Sequence, residues 1–330
     1  MRVLLIDADS KIPNIALMKL STYHKSLGDT VDIYKCDLPY YPQKKKQVHS
    51  FYFLPGLDYD KIYCSVIFEG NKEYIQGDNI VFGGTGHDLK TVLPVEVEAC
   101  ECDYGLYPEN DISYGFITRG CIRKCAFCKV PEKEGYIRKV NEIDDIVRHK
   151  RVKFLDNNIL AYSGHREILE ELVRRKIQCD FTQGLDIRLI DEENSLLLSK
   201  LRYFGAMTFA FDDIGMKNLI DSKLQLLKWR RDWGMRFFVY THPDMCISDV
   251  LTRVLYLRHR KCLPYLMRDI ACFTSENKDF YTDLSSWCNQ VRIYMTFDFE
   301  GFVQEKHKNN LKRRDRSLEL WREHANFRPC

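Results

Sequence analysis

The chain has 330 residues, 45% hydrophobic and 29% charged, with a formal net charge of +3; this is the balance of a soluble globular protein of one large or two ordinary domains, and it gives no charge argument for nucleic acid. No run approaches ~18 apolar residues, which excludes a membrane span, and the opening apolar run is too short for a signal peptide. Thirteen cysteines without regular pairing, in a chain with no export signal, indicate a reducing cytoplasm, with Cys64, Cys179, Cys262 and Cys272 read as buried thiols in apolar surroundings.

Residues 1–100 read as a small α/β unit. Residues 3–6 are a short buried strand, and 14–27 a helix with apolar positions Ile15, Leu17, Met18, Leu20 and Leu27, closed by Gly28. Strands follow at 31–34, 62–68 and 80–82, the last running into Gly83-Gly84. Strand, helix, strand in this order predicts a parallel sheet. The connection 69–79 has only about ten residues, at the lower limit for a helical crossover, so the unit is a shortened Rossmann-like domain. Residues 101–111 continue a proline-containing acidic stretch and read as a linker.

From Tyr114 the pattern becomes strand and helix in alternation. Strands are expected at 114–118, 152–155, 179–183, 206–211, 235–240 and 263–267, with helices near 141–150, 164–176, 191–202, 214–233 and 246–260. Six such steps over residues 112–270 make a partial (β/α)6 barrel of TIM type, whose reactive groups collect at the C-terminal strand ends. Residues 271–330 are an irregular C-terminal extension. A helix is expected at 279–290 and a strand at 291–295. Leu311, Leu318, Trp321 and Ala325 mark one face of a last, basic amphipathic helix. Residues 301–330 hold three Lys and five Arg against one Asp and three Glu, which offers a contact for a phosphate-bearing partner such as nucleic acid.

Chemistry concentrates in residues 117–131, Ile-Thr-Arg-Gly-Cys-Ile-Arg-Lys-Cys-Ala-Phe-Cys-Lys-Val-Pro, where Cys121, Cys125 and Cys128 are spaced C-x3-C-x2-C. Three close thiolates are soft ligands suited to an iron–sulfur cluster. Three thiolates on a four-iron cube leave one iron open to a small molecule. The competing reading is a zinc site completed by Cys100 or Cys102, although structural zinc sites usually draw on two close ligand pairs. With the basic tail, such a site would make a non-catalytic zinc or iron–sulfur module that binds nucleic acid.

The spacing, and the Phe before the third Cys, resemble the radical S-adenosylmethionine (SAM) superfamily over residues 112–270. The resemblance implies a [4Fe–4S] cluster on Cys121, Cys125 and Cys128. SAM would bind the open iron and be cleaved reductively, and the 5′-deoxyadenosyl radical would abstract hydrogen from a substrate. It also implies an electron donor such as flavodoxin or ferredoxin. The order of the whole chain is similar to the subgroup with an N-terminal cobalamin-binding-like domain, on the strength of the stretch Asn14-Ile15-Ala16-Leu17-Met18 and the Gly83-Gly84 turn. Residues 7–12 read Asp-Ala-Asp-Ser-Lys-Ile, without the histidine that ligates cobalt in one cobalamin class. With the short 69–79 connection, this favours a domain without cobalamin over a cobalamin-dependent methyltransferase. Cys-Ala-Phe-Cys-Lys-Val-Pro with Gly135 is also similar to the cluster loop of tRNA methylthiotransferases. Their second cluster needs a cysteine after the opening strand, where this chain has Asp7-Ala8-Asp9.

The resemblance also assigns SAM contacts. Phe127 would lay its backbone against the adenine. Asp156, Asn157 and Asn158, after the second barrel strand, would accept from the SAM amino group. Gln183, Asp186 and Arg188 follow the third strand, with Arg188 placed to fork onto the SAM carboxylate. Asp212, after the fourth strand, would take ribose hydroxyls. Tyr240 and His242 at the fifth strand end, and Tyr265 in the sixth strand, are the substrate-side candidates for proton or electron relay. Each of these residues also has a plain reading, as a group closing a turn or filling a core.

Overall fold

Strand β1 (Arg2–Asp7) sends Val3 and Leu5 to one face and Leu4 and Ile6 to the other, and all four are buried. A strand buried on both faces belongs to a parallel sheet covered on each side. In the computed structural model, which describes residues 1–39, 46–51 and 59–325, the chain divides into two units, Met1–Lys153 and Phe154–Cys330. This division falls inside the 112–270 segment expected to form a barrel. The last residues of the expected C-terminal extension, 326–330, lie outside the described residues.

In the first unit, helix α1 (Ile15–Ser26) starts at Asn14, whose side chain accepts the Leu17 N–H at 3.2 Å. It stops before Gly28, which takes the left-handed φ of +80° that glycine allows. Leu17 and Leu20 pack on Val3 and Leu5. Strands β2 (Thr30–Lys35), β3 (His49–Phe51), β4 (Lys61–Ser65), β5 (Ile75–Gly77) and β6 (Ile80–Gly83) follow. The parallel sheet runs β2-β1-β4-β6, while β3 and β5 pair as a separate ribbon. Residues 69–79 hold a single 3₁₀ turn at Lys72–Tyr74 and β5, with no α-helix.

After a one-turn helix α2 (Val95–Glu98), strand β7 (Ile112–Gly115) is separated from β8 (Thr118–Arg119), so the strand expected over 114–118 is broken. Helix α3 (Val130–Lys133), β9 (Arg138–Lys139), α4 (Ile143–Ile146) and β10 (Arg151–Phe154) complete the unit. The helix expected over 141–150 is one turn long. The N–H groups of Arg148 and His149 donate to Ser113 Oγ at 2.8 and 2.9 Å instead of to helix carbonyls, which draws the chain back onto β7.

The second unit alternates α5 (His165–Arg174), β11 (Gln178–Phe181), α6 (Glu192–Lys200), β12 (Arg202–Tyr203), β13 (Met207–Ala210), α7 (Lys217–Leu226), β14 (Met235–Thr241), α8 (Ile247–His259) and β15 (Leu263–Arg268). β11 pairs with β12, and β13-β14-β15 form a three-stranded sheet, all in parallel. A parallel bridge between Leu185 and Phe209 links the two sets. Phe154 stacks on Phe181, and Phe209 packs against Phe237, in the core beneath. The architecture is therefore mixed α/β with parallel sheets.

Four helices close the chain: α9 (Lys278–Cys288), α10 (Val291–Thr296), α11 (Phe299–Lys306) and α12 (Leu311–His324). The expected strand at 291–295 is α10, held by Tyr294 N–H on Gln290 O at 2.9 Å and by Tyr294 OH on Val254 O at 2.8 Å. Trp287, Phe299 and Trp321 pack together, with Phe299 stacked on Trp321 at 4.5 Å, whereas Leu311 is exposed. The basic face of α12 is engaged within the chain: Arg313, Arg316 and Arg322 pair with Asp283, Glu276 and Glu300, and Arg314 pairs with Asp315. Among the described residues, no helix is long and apolar enough to cross a membrane.

Candidate functional site

The three cysteines hang on a loop that the sequence pattern does not reveal as closed. Thr118 and Arg119 pair antiparallel with Lys139 and Arg138, so residues 120–137 leave and return through one narrow neck. Cys121 N–H donates to Gly135 O at 3.2 Å, and Val140 N–H to Ile117 O at 2.8 Å. Gly120 adopts φ +89°, and a Cβ there would stand 2.4 Å from Tyr136 O, so only glycine lets the chain pass. Arg119 lies over the Phe116 ring at 4.4 Å and pairs with Glu134 at 3.4 Å, bracing both sides of the neck.

Inside the loop, Cys128 N–H donates to Cys125 O at 3.0 Å, a turn that folds the second and third cysteines toward each other. Arg123 N–H donates to Cys121 Sγ at 3.3 Å. All three cysteines are half-buried, and Phe127 beside them is exposed. Cys179, Cys262 and Cys272 are buried, and burial pushes them up to about 12, about 12 and about 11, so they stay protonated. Burial also pushes the half-buried Cys102 up to about 11. Among the described residues, no three His, Cys, Asp or Glu side chains converge as a single metal ion requires. A zinc ion needs its ligands around one point.

Because the strands of the second unit are parallel, their C-terminal ends share one side, and the expected polar residues lie there. Thr182, just beyond β11, donates through N–H and Oγ to Phe154 O at 3.0 and 3.1 Å. Asp156, Asn158 and Asp186 are buried, Asn157 and Arg188 half-buried, and Gln183 exposed. Asp186 gathers its neighbours: Arg188 Nε and Nη2 donate to its two oxygens at 2.6 and 3.1 Å, and Asn158 Nδ2 reaches it at 3.4 Å. The bidentate fork fixes the guanidinium.

Asp212 accepts the Tyr240 N–H at 3.1 Å. Burial raises its carboxyl above the usual range, against that bond and the nearby Arg253 and Arg188 charges. Arg253 was not visible as a site residue in the sequence. It is 1% exposed and donates to Phe211 O at 2.8 Å and Tyr240 O at 3.1 Å, joining the ends of β13 and β14 from below. Asp269 was also missed. Tyr240 OH donates to Asp269 at 2.8 Å, and His242 Nε2 lies 3.9 Å from the same carboxylate. Burial, then Asp269, raises the Tyr240 phenol, which therefore stays protonated near neutrality. Tyr265 stands apart on the exposed face of β15, edge-on to Phe238.

No protein-family model matches the chain, and no curated protein matches it in sequence. Solved structures do. A structure of the radical SAM methyltransferase TsrM from Kitasatospora setae, with tryptophan substrate and the SAM analog aza-SAM bound, has a TM-score of 0.55 at 13% identity, covering 80% of this chain and 72% of that one. A second TsrM structure, with cobalamin and a [4Fe–4S] cluster bound, has a TM-score of 0.53 at 12% identity, covering 81% and 74%. The structural neighbours are thus radical SAM enzymes, and at this identity the likeness is one of fold.

Proposed function

We propose that this chain is a radical SAM enzyme in which Cys121, Cys125 and Cys128 hold a [4Fe–4S] cluster. The observation that carries this reading is the set of three half-buried thiols on one neck-closed loop, in a fold shared with radical SAM enzymes. When bound, such a cluster supplies the electron that cleaves SAM and releases the deoxyadenosyl radical. The protein's task is to orient SAM and substrate and to exclude water. Anaerobic reconstitution with iron and sulfide, followed by an assay for 5′-deoxyadenosine under a chemical reductant, tests it. Stoichiometric zinc without iron would end the proposal.

For SAM, the chain offers Asp156, Asn157 and Asn158 as acceptors for the ammonium and Arg188 as a donor for the carboxylate. Phe127 would present its backbone to the adenine. Asp186 acts as a positioning residue, accepting from Arg188 Nε and Nη2. Gln183 and Asp212 complete the proposed set. Asn158→Ala and Arg188→Ala should each weaken SAM binding about ten- to hundredfold, as loss of a hydrogen bond to a charged group costs ~1.5–3 kcal/mol. Equilibrium dialysis with labelled SAM reads this, and wild-type binding by both variants would remove these residues from the site. Tyr240, Asp269 and His242 are the proposed proton-handling group on the substrate side.

A second reading, cobalamin-dependent methyl transfer, is favoured by the likeness to TsrM. The first unit's own residues do not fit it. In a sheet of order β2-β1-β4-β6 the ligand crevice lies between the ends of β1 and β4. Here Asn14 Nδ2 donates to Ser10 Oγ and Ser65 Oγ, both at 2.8 Å, and Tyr107 OH donates to Asp7 at 2.9 Å, so the chain fills that crevice itself. The Gly83-Gly84 turn gives no cradle either. A Cβ at Gly84 would stand 2.2 Å from Val66 O, and one at Gly86 2.6 Å from the Phe68 backbone. Protein mixed with hydroxocobalamin and desalted should therefore retain no corrin absorbance. A stoichiometric corrin would make methyl transfer the leading reaction.

A further inference from the structure

The second unit carries a cleft on the side opposite its C-terminal strand ends. Its wall includes Gln178 and Arg202, the first residues of β11 and β12, together with Trp229, Arg230 and Arg231 from the connection between α7 and β14. These are helix-to-strand connections, a face that in folds of this kind serves stability and not the reaction. The cleft has a volume of about 620 Å³, and its lining contains three arginines and no carboxylate.

We propose that this cleft binds a nucleotide, taken either free or as one unit of a single-stranded nucleic acid. Two buried polar atoms on its lining, Tyr203 OH and Arg230 Nε, have no hydrogen-bond partner. Buried polar groups are nearly always satisfied, and these two lie just behind the lining, where a small shift of the Arg230 or Tyr203 side chain would bring them to an acceptor in the cleft. Arg202 and Arg231 enter no ion pair among the described residues and supply the charge for phosphate. The aromatic side is built as well. Trp229 is 37% exposed, its Nε1 is held by Ser195 Oγ at 2.9 Å, and Arg230 lies over both the Trp229 and Tyr203 rings at 5.6 and 5.7 Å. Fixed aromatics interleaved with arginine are what a base and its phosphate require. Asp180 lies near Tyr203 and Gly205 but does not line the cleft.

This inference is independent of radical chemistry and is tested on the full chain. A fluorescent single-stranded oligonucleotide is titrated by anisotropy, with AMP and inorganic phosphate as competitors. Wild type should bind, and AMP should compete better than phosphate. The pair Arg202→Glu and Arg231→Glu should weaken binding at least tenfold and lower the salt slope by about two, while SAM cleavage stays unchanged. The pair Arg314→Glu and Arg316→Glu on α12 carries the same charge change and should bind as wild type. If charge reversal lowers the melting temperature, Arg202→Gln with Arg231→Gln repeats the measurement. If AMP competes well but the oligonucleotide does not bind, the ligand is a free nucleotide. Absence of binding by any probe, equal loss in the α12 pair, or phosphate competing as well as AMP would overturn the assignment.

Discussion

Replacing any one of Cys121, Cys125 or Cys128 by Ala should reduce SAM cleavage to background and abolish the electron paramagnetic resonance change that SAM produces in the reduced protein. The loss should be complete, since each thiolate would ligate a separate iron and no buried thiol can stand in. Cys179 and Cys262 are 0% exposed and held protonated. Stability should hardly move, because the three side chains are half-buried on a loop and leave no core cavity. Cys262→Ala gives the opposite signature, full iron content with a modest loss of stability from a buried site. Iron analysis and thermal melting on both classes of variant separate ligation from packing. A single-cysteine variant with wild-type turnover would show that its thiol is not a ligand.

The largest expected effect on stability is at Asp283. This carboxylate is fully buried in α9 and accepts from Lys306 at 3.0 Å, His307 at 2.8 Å, Arg313 at 3.0 Å and Ser317 Oγ at 2.9 Å. Burial alone would raise its pKa, but the bonds from Arg313, His307 and Lys306 together outweigh it, and the net shift is downward. Asp283→Ala strands Lys306 and Arg313 beside a buried gap and should cost about 3–5 kcal/mol. The pH dependence follows from the sign. A carboxyl depressed in the folded state adds stability that is fully present above its unfolded value of about 3.9 and is lost as pH falls through the folded one. Urea unfolding should show this acid-side loss in wild type, and Asp283→Asn should flatten it. Equal acid slopes in the two proteins would assign the loss to other carboxylates.

The regular elements were legible because their signals are local. The continuous apolar run of β1, the Asn14 cap and the Gly28 stop of α1 act within a few residues, and the structure realises each of them. The cysteine set was legible for a similar reason, since its three members lie close together in sequence. Three features escaped because their causes lie far along the chain. Strands β8 and β9 are two residues each, too short for any periodicity, and exist only as a pair. The shape of 291–296 was set by Tyr294 reaching Val254, which overrode a β-branched apolar run. Leu311 matched the apolar face of α12 by spacing, yet it lies at the helix start where nothing covers it. Helix α11, by contrast, had a readable start in Asp298, whose side chain accepts the Gly301 N–H at 2.7 Å. Arg253 and Asp269 draw their roles from strand ends that meet only in the folded unit, so residue type alone could not single them out.

The narrow neck between β8 and β9 bears on what would follow if the proposed cluster were lost to air. The eighteen residues from 120 to 137 hang from a ribbon two residues wide, and on that neck they would open as a small local unit while the sheet beneath stays closed. Damage and disassembly at the cysteines would then remain confined to a flap and spare the rest of the fold. Amide exchange in 121–135 should accelerate in iron-free protein, with protection in β1 and β7 retained. A chain that had lost the proposed cluster in this way would accept a second loading without refolding, so the neck would serve repair more than resistance to damage.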